Sequence, residues 1–379
     1  MPKKPVIPMS YKVDWFQCTE ASKNDEILDV LDSDFWYFME KIGYSFNDFE
    51  VASPRYFYNS GLTLGRYVNI YYDDEDKGIN QYSPKNVLFQ FTGQGSTDLA
   101  LKLSKYLQTD DFNKVWNTFF KVVMDCEAKV TRMDIALDDY QGVLNFDKME
   151  RKLQRHEFRA SKRSYNVVKE KATDGTIKGE TIYLGTRKRH QDGYLIRFYN
   201  KYAEYKSKGA ILPTVVENVV TGSGTHIWQR YEMEIHGNAC KVFIIRVLSG
   251  MPLGKLYKSL MKNAIEFLKV NKSNKNKAYW SVVDWWADFL DGAEKSSLGE
   301  PELDADLGRL LRWVRKSVTP SLHLLDQIGQ KKGFDIYEEI KNCSIGPFAK
   351  KQERLKKNAM LMPDAEIKRY LKAFEDGDY

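Results

Sequence analysis

Val130-Thr131-Arg132-Met133-Asp134-Ile135-Ala136-Leu137-Asp138 alternates polar and apolar residues along its length. Successive side chains of a β-strand point to opposite faces. Arg132, Asp134, Ala136 and Asp138 therefore share one side, and Thr131, Met133, Ile135 and Leu137 the other. Trp228-Gln229-Arg230-Tyr231-Glu232-Met233-Glu234-Ile235-His236 repeats the pattern, setting Trp228, Arg230, Glu232, Glu234 and His236 against Gln229, Tyr231, Met233 and Ile235. A third run, Tyr194-Leu195-Ile196-Arg197-Phe198-Tyr199-Asn200-Lys201, puts Arg197, Tyr199 and Lys201 opposite Ile196 and Phe198. One packed face and one wet face is what an antiparallel sheet shows. Cross-strand ion pairs on a solvated sheet would account for any one of these strands alone.

Outward from these runs, Tyr11–Thr19, Tyr67–Tyr72 and Asn86–Thr92 carry the β-branched and aromatic residues of strands, separated by polar turns. Thr92-Gly93-Gln94-Gly95-Ser96 then leads into a helix over Asp98–Leu107; a strand-to-helix turn is the commoner reading of its glycines, a phosphate-cradling loop the sharper one. Helices are expected at Phe112–Cys126 and near Phe146–His156, and a long basic hairpin through 165–200. Past about residue 239 the apolar spacing becomes helical, at Val242–Leu248, Leu256–Leu268 and Ser281–Phe289, and later at Ser321–Ile328, stopped by Gly329. Trp280, Trp285 and Trp286 read as helix-packing residues. The fold expected is α+β: a largely antiparallel sheet with flanking helices over residues 1–250, carrying the site, and a helical C-terminal region over 251–379.

The bulk figures restrict the function. The chain has 379 residues, 42% of them hydrophobic and 29% charged, an ordinary globular composition. No apolar run approaches the roughly 18 residues of a membrane span, and Met1-Pro2-Lys3-Lys4-Pro5 lacks the apolar core of a signal peptide. Cys18, Cys126, Cys240 and Cys343 show no CxxC spacing and read as reduced thiols of a cytoplasmic protein; the five histidines form no HxH or HExxH pattern. Net charge is +6, yet residues 151–208 hold 16 Lys and Arg against 6 Asp and Glu. Such a block is usually a solvated surface. Here Tyr165, Tyr183, Tyr194, Phe198 and Tyr202 interleave with the cations, which suits a single-stranded nucleic acid.

If the three polar-faced strands are neighbours, about 5 Å apart, Asp134, Glu232 and Glu234 pool their charge and need something positive among them. A hard divalent cation, Mg²⁺ or Mn²⁺, fits oxygen ligands best, with Asp138 as a fourth ligand or a group behind the ligands. Tyr199 is then the candidate nucleophile. Fully ionising a phenol of pKa near 10 at pH 7 costs roughly 4 kcal/mol, toward which Arg197, Lys201 and the metal would contribute. Attack on a phosphodiester would give a phosphotyrosine and a free 3′-hydroxyl. The bland alternative is a tyrosine packed at a strand end.

These motifs resemble the Rep_trans family, the rolling-circle replication initiators of Gram-positive plasmids and phages and the related relaxases of integrative conjugative elements. Thr131–Asp138 resembles its RxDxAxD strand. Thr181-Ile182-Tyr183-Leu184-Gly185-Thr186-Arg187 followed by Ile196–Lys201 resembles its YxGxR…RxYxK segment, and Arg230–Glu234 its RxExE/Q strand. Thr92-Gly93-Gln94-Gly95 is similar to a glycine turn common upstream, so the match spans roughly 86–240. Trp285–Leu290 and Trp313–Pro320 look like the tails of phage and conjugative-element members. The His-hydrophobic-His motif of other nicking enzymes is absent from the sequence. The resemblance implies nicking of one strand at a single-stranded or cruciform origin by Tyr199, a covalent 5′-phosphotyrosine, and replication or conjugative transfer from the 3′-hydroxyl. It further implies host helicase and polymerase partners and leaves room for a homodimer. Arg132, Arg187, Lys188, Arg189 and Arg230 are the candidate DNA-binding cations. The alternatives are a non-catalytic DNA-binding module on the same scaffold and a structural protein with a basic surface.

Overall fold

The computed structural model describes residues 9–24, 26–79, 81–175, 177–186, 193–207, 216, 226–291, 310–311, 314–343 and isolated positions beyond. The chain forms two compact units, Met1–Gly299 and Glu300–Tyr379. The first is built on a ten-stranded sheet. Its strands in chain order are β1 (Ser10–Ala21), β2 (Glu50–Val51), β3 (Ser60–Leu64), β4 (Val68–Tyr72), β5 (Asn86–Thr92), β6 (Lys129–Asp139), β8 (Tyr165–Lys171), β9 (Ile177–Leu184), β10 (Gly193–Asn200) and β11 (Gln229–His236), while β7 (Phe158–Ala160) pairs separately with β12 (Ile265–Phe267). The spatial order is β2-β3-β4-β5-β1-β6-β11-β10-β9-β8, and the pairings are antiparallel.

Helices cover the apolar face. The core joins Phe16, Phe89, Met133, Ile135, Ile196, Phe198, Tyr231 and Met233 of the strands to α1 (Asp34–Lys41), α2 (Gln94–Leu107), α3 (Phe112–Asp125), α4 (Phe146–Gln154), α6 (Asn238–Leu248), α7 (Leu253–Ala264) and α8 (Asp284–Leu290). A short α5 (Lys201–Ser207) follows β10 directly. Trp286 is fully buried, packed on Phe198, Phe267 and Phe289, so its expected packing role holds. The helices past residue 250 thus share the core of the sheet up to α8.

The glycines at 93 and 95 make a strand-to-helix turn. Gly93 precedes α2 with φ 35°, and a Cβ on Gly95 would lie 2.3 Å from the Tyr67 carbonyl oxygen. That oxygen accepts from the Thr92 N–H at 2.8 Å, so it cannot retreat without breaking the sheet edge. Gly95→Ala should therefore destabilise the unit by about 1–3 kcal/mol, read as a lower urea midpoint with unchanged slope; an unshifted midpoint would show that the contact yields freely.

Two expected helices end elsewhere. Helix α7 stops at Ala264, and Ile265–Phe267 becomes a strand against Phe158–Ala160, with Glu266 opposite Arg159 and an ion pair at 3.3 Å. In the second unit the helix Thr319–Lys332 runs through Gly329 and ends at Gly333, whose φ of 75° suits glycine. Gly329 is small because the chain folds back there: a Cβ would meet the Phe334 carbonyl at 2.5 Å. Among the described residues no helix is long and apolar enough to cross a membrane.

Candidate active site

Strands β6, β11 and β10 are adjacent, and their register gathers the polar faces. Asp134 lies opposite Glu234, Glu232 opposite Arg197, and Arg230 between Asp138 and Tyr199. This face is not wet at its centre: Asp134, Glu232, Glu234, Arg230 and Asp138 are all buried. Positive charge does sit among the carboxylates, as their pooling demands, and it is supplied by arginine. Arg132 grips Asp134 with two bonds, Nε to Oδ1 at 2.9 Å and Nη2 to Oδ2 at 2.6 Å, and its Nη2 also lies 3.4 Å from Glu234 Oε2. Arg197 Nη2 pairs with Glu232 Oε1 and stands 3.8 Å from both Asp134 and Glu234.

Tyr199 completes this group. Its hydroxyl donates to Glu232 Oε2 at 3.0 Å. Burial, and then the Glu232 charge, push the phenol well above its ordinary pKa, so the proton stays on oxygen. The sequence led to a different expectation, with Arg197 and Lys201 drawing the phenol toward phenolate. Arg197 is instead engaged by Glu232, and Lys201 by Glu204 at 2.8 Å. Both still lie over the Tyr199 ring, at 5.9 and 5.5 Å from its centroid. Lys201 also begins helix α5; the strand stops at Asn200, whose side chain accepts from the Ala203 N–H.

Asp138 belongs to a second cluster. Its two oxygens take Arg230 Nε at 2.7 Å and Nη2 at 2.9 Å, and Oδ1 also accepts from Trp228 Nε1. Arg230 Nη1 reaches across to Asp14 at 3.0 Å, and Asp14 in turn holds Lys12 at 2.6 Å. Burial opposes the Asp14 carboxylate, but Arg230 and Lys12 outweigh it and bring its pKa to about 2. Spanned by two carboxylates and buried, Arg230 cannot reach a DNA phosphate; it braces the strands beneath Tyr199. Arg230→Ala should cost about 3–5 kcal/mol by leaving Asp14 and Asp138 uncompensated, measured as a fall in unfolding free energy. A loss below about 1 kcal/mol, the range of an exposed pair, would mean that the cluster is not the brace described. Lys12 and Asp14 were missed in the sequence, although their alternation with Val13 in the Tyr11–Thr19 run carried the signal.

The donor set can be tested for a divalent ion. Asp134, Glu232 and Glu234 offer hard oxygens. Burial and the neighbouring Glu232 and Glu234 charges, working against the Arg132 pair, raise the Asp134 pKa well above its ordinary value. Excess negative charge at that point is what a bound cation would relieve. Burial also opposes the Glu234 carboxylate, but His236 at 2.8 Å and then Arg132 and Arg197 hold it at about 2. Asp134, Glu232 and Glu234 could give oxygens to such an ion by releasing present partners, since Arg132 holds both Asp134 oxygens and Arg197 and Tyr199 hold those of Glu232, just as Arg230 holds both of Asp138. Among the described residues the acidic group whose oxygens all lie within 4.8 Å of one another is a different one, Asp147, Glu150 and Glu180. Lys169 already fills it, its ammonium 3.0, 2.6 and 2.9 Å from the three.

Five cations of the basic block, Lys152, Arg159, Lys169, Arg197 and Lys201, meet carboxylates. Arg132 remains partly exposed, its guanidinium over the Trp15 ring at 4.2 Å. Arg187, Lys188 and Arg189 lie outside the described residues, as does Trp313.

The Rep_trans family model, described as a replication initiation factor, matches residues 128–340. The chain belongs to this family. The matched span holds β6, β10 and β11 and so every member of the tyrosine–carboxylate group. Over 289 residues the chain is 24% identical to the protein described as "Putative DNA relaxase NicK" of Bacillus subtilis (strain 168), covering 75% of this chain and 74% of that one. The fold is that of the rolling circle replication initiator protein from Geobacillus stearothermophilus, with a TM-score of 0.57, 22% identity, and coverage of 77% of this chain and 99% of that one.

Proposed function

We propose that this family member is a sequence-specific DNA strand transferase that nicks one strand at an origin through a 5′-phosphotyrosine on Tyr199. The observation that carries the reading is the hydrogen bond from the Tyr199 hydroxyl to Glu232 Oε2, with Arg197 fixing the other oxygen of the same carboxylate. A protonated phenol is a poor nucleophile, and a carboxylate already accepting its hydrogen bond is the base it needs. As the phenol oxygen attacks the scissile phosphorus, its proton passes to Glu232, the P–Oη bond forms, and the P–O3′ bond breaks, the leaving 3′ oxygen taking a proton from water to become the hydroxyl. Arg197 and Arg132 place positive charge beside that centre.

Asp134, Glu232 and Glu234 would hold Mg²⁺ or Mn²⁺, which when bound polarises the phosphodiester and offsets the charge that develops on it. Arg132 faces the DNA, and the Arg187-Lys188-Arg189 run is assigned to its backbone. The released 3′-hydroxyl then serves replication or conjugative transfer in the cytoplasm, with host helicase and polymerase following.

The decisive experiment incubates the protein with single strands from around its own gene, with and without Mn²⁺, and maps the DNA-linked residue by mass spectrometry. Tyr199 is the expected attachment point; linkage at another residue overturns the assignment. Nicking should vanish in EDTA and return with Mn²⁺, and Asp134→Ala should abolish the metal-dependent rate. Undiminished cleavage in EDTA would sink the metal assignment while leaving the tyrosine in place.

A further inference from the structure

A cavity of about 280 Å³ opens where β10 and β11 end, beside the strand that carries Tyr199. Its polar lining is Asn145 and Asp147 at the start of α4, Glu180 of β9, Asn200, His226 and Gln229. We infer that this cavity receives a single nucleobase, that of a nucleotide flanking the phosphate presented to Tyr199.

The hydrogen-bonding groups decide the ligand class. Asn145 and Asn200 each spend the side-chain carbonyl on a backbone N–H, of Lys148 and Ala203 respectively, both at 2.9 Å. The amide nitrogen is what each has to donate. His226 Nδ1 lies 2.9 Å from the Val216 carbonyl, which can only accept, so Nδ1 carries a proton and Nε2 is the ring's other polar atom. Asp147 and Glu180 add acceptors, shared with Lys169 at 3.0 and 2.9 Å. Carboxylates in the lining repel phosphate, whereas a base edge offers donors and acceptors together. Ile227 and Trp228 also border the cavity, the Trp228 indole itself being bonded to Asp138 and packed against Tyr140 at 6.3 Å and Tyr205 at 4.7 Å between ring centroids.

Size and place agree. Cavities for drug-sized ligands begin at about 300 Å³, so this one has room for a base. Gln229 pairs with Asn200 and Arg230 with Tyr199, so one residue, about 3.3 Å of strand, separates the level of the cavity from that of the nucleophile. Asn200 faces the opposite side of the sheet from Tyr199 by strand alternation. The base therefore turns out of its stack around the strand end, as enzymes that extrude a nucleotide require.

The location rests on the strand-transfer reading, but the test does not. Free deoxynucleosides, with inorganic phosphate as control, are titrated against the full chain by ligand-observed NMR. The same titrations are run on Asn145→Asp, which keeps a helix-capping oxygen while replacing the amide donor, and on His226→Ala. At least one deoxynucleoside should bind the natural protein, phosphate should not, and both variants should lose at least about fivefold in affinity. Binding of no deoxynucleoside, equal binding by both variants, or phosphate binding as well as the nucleoside overturns the proposal. Covalent attachment to nicked DNA is scored separately on the same preparations, so its failure counts against the strand-transfer reading alone.

Discussion

Tyr199→Phe should reduce covalent attachment to DNA to background while leaving DNA affinity within about threefold of the natural protein, well under the 1.4 kcal/mol that a tenfold change represents. The substitution removes one oxygen and keeps the ring. Among the described residues the Tyr199 hydroxyl bonds to Glu232 alone, so the change is confined to the reacting group. The packed face is untouched, because Phe198 and Ile196 point away from Tyr199 into the core. Glu232 loses one hydrogen-bond donor, at about 1–3 kcal/mol, and retains Arg197. The measurement is a denaturing gel of protein–oligonucleotide adducts beside an equilibrium binding curve. Nicking at the natural rate with a covalent adduct would remove Tyr199 from the mechanism. Loss of binding along with attachment would make the residue a DNA contact and not a nucleophile.

The alternation of Arg132–Asp138, Arg197–Tyr199 and Arg230–Glu234 was readable because strand geometry is a local rule, while the adjacency of the three strands entered only as a condition, which the order β6-β11-β10 meets. What neutralises their carboxylates was not readable. Nothing in the order of residues says that Arg132 would fold back onto Asp134, two positions along its own strand, or that Arg197 would spend its charge on Glu232. Side-chain rotamers and burial decide this, and they assigned Asp138 to Arg230 and Trp228 by the same means. The end of β10 at Asn200 was equally hidden: Lys201 continues the alternation in sequence, but its side chain pairs with Glu204 at the i,i+3 spacing of a helix. Asp14 entered the site from a distant strand, through a sheet order in which β1 lies beside β6. The long-range pairing of β1 is what local pattern reading does not supply.

Glu232→Gln separates the proposed proton acceptor from a merely structural partner. Glutamine keeps the length of the side chain and a carbonyl oxygen, so it can still accept from Arg197 or from the phenol, and the fold should survive. What it loses is basicity. General-base assistance is worth about 10²- to 10⁴-fold, and a single-turnover nicking rate should fall by that amount near neutral pH. The pH profile carries the sharper signature. With the Glu232 carboxylate as acceptor, the rate of the natural protein should not depend on free phenolate and should stay flat through the neutral and alkaline range. Without an acceptor, attack must wait for free phenolate, and burial and neighbouring charge hold the Tyr199 phenol above its ordinary pKa. The phenolate fraction then rises about tenfold for each pH unit throughout the neutral and alkaline range. The log rate of Glu232→Gln should therefore climb with a slope near one where the natural protein is flat. A variant that is slow but flat would make Glu232 a positioning residue for Arg197 or the metal, and one that nicks at the natural rate would leave the hydrogen bond at 3.0 Å without a catalytic part.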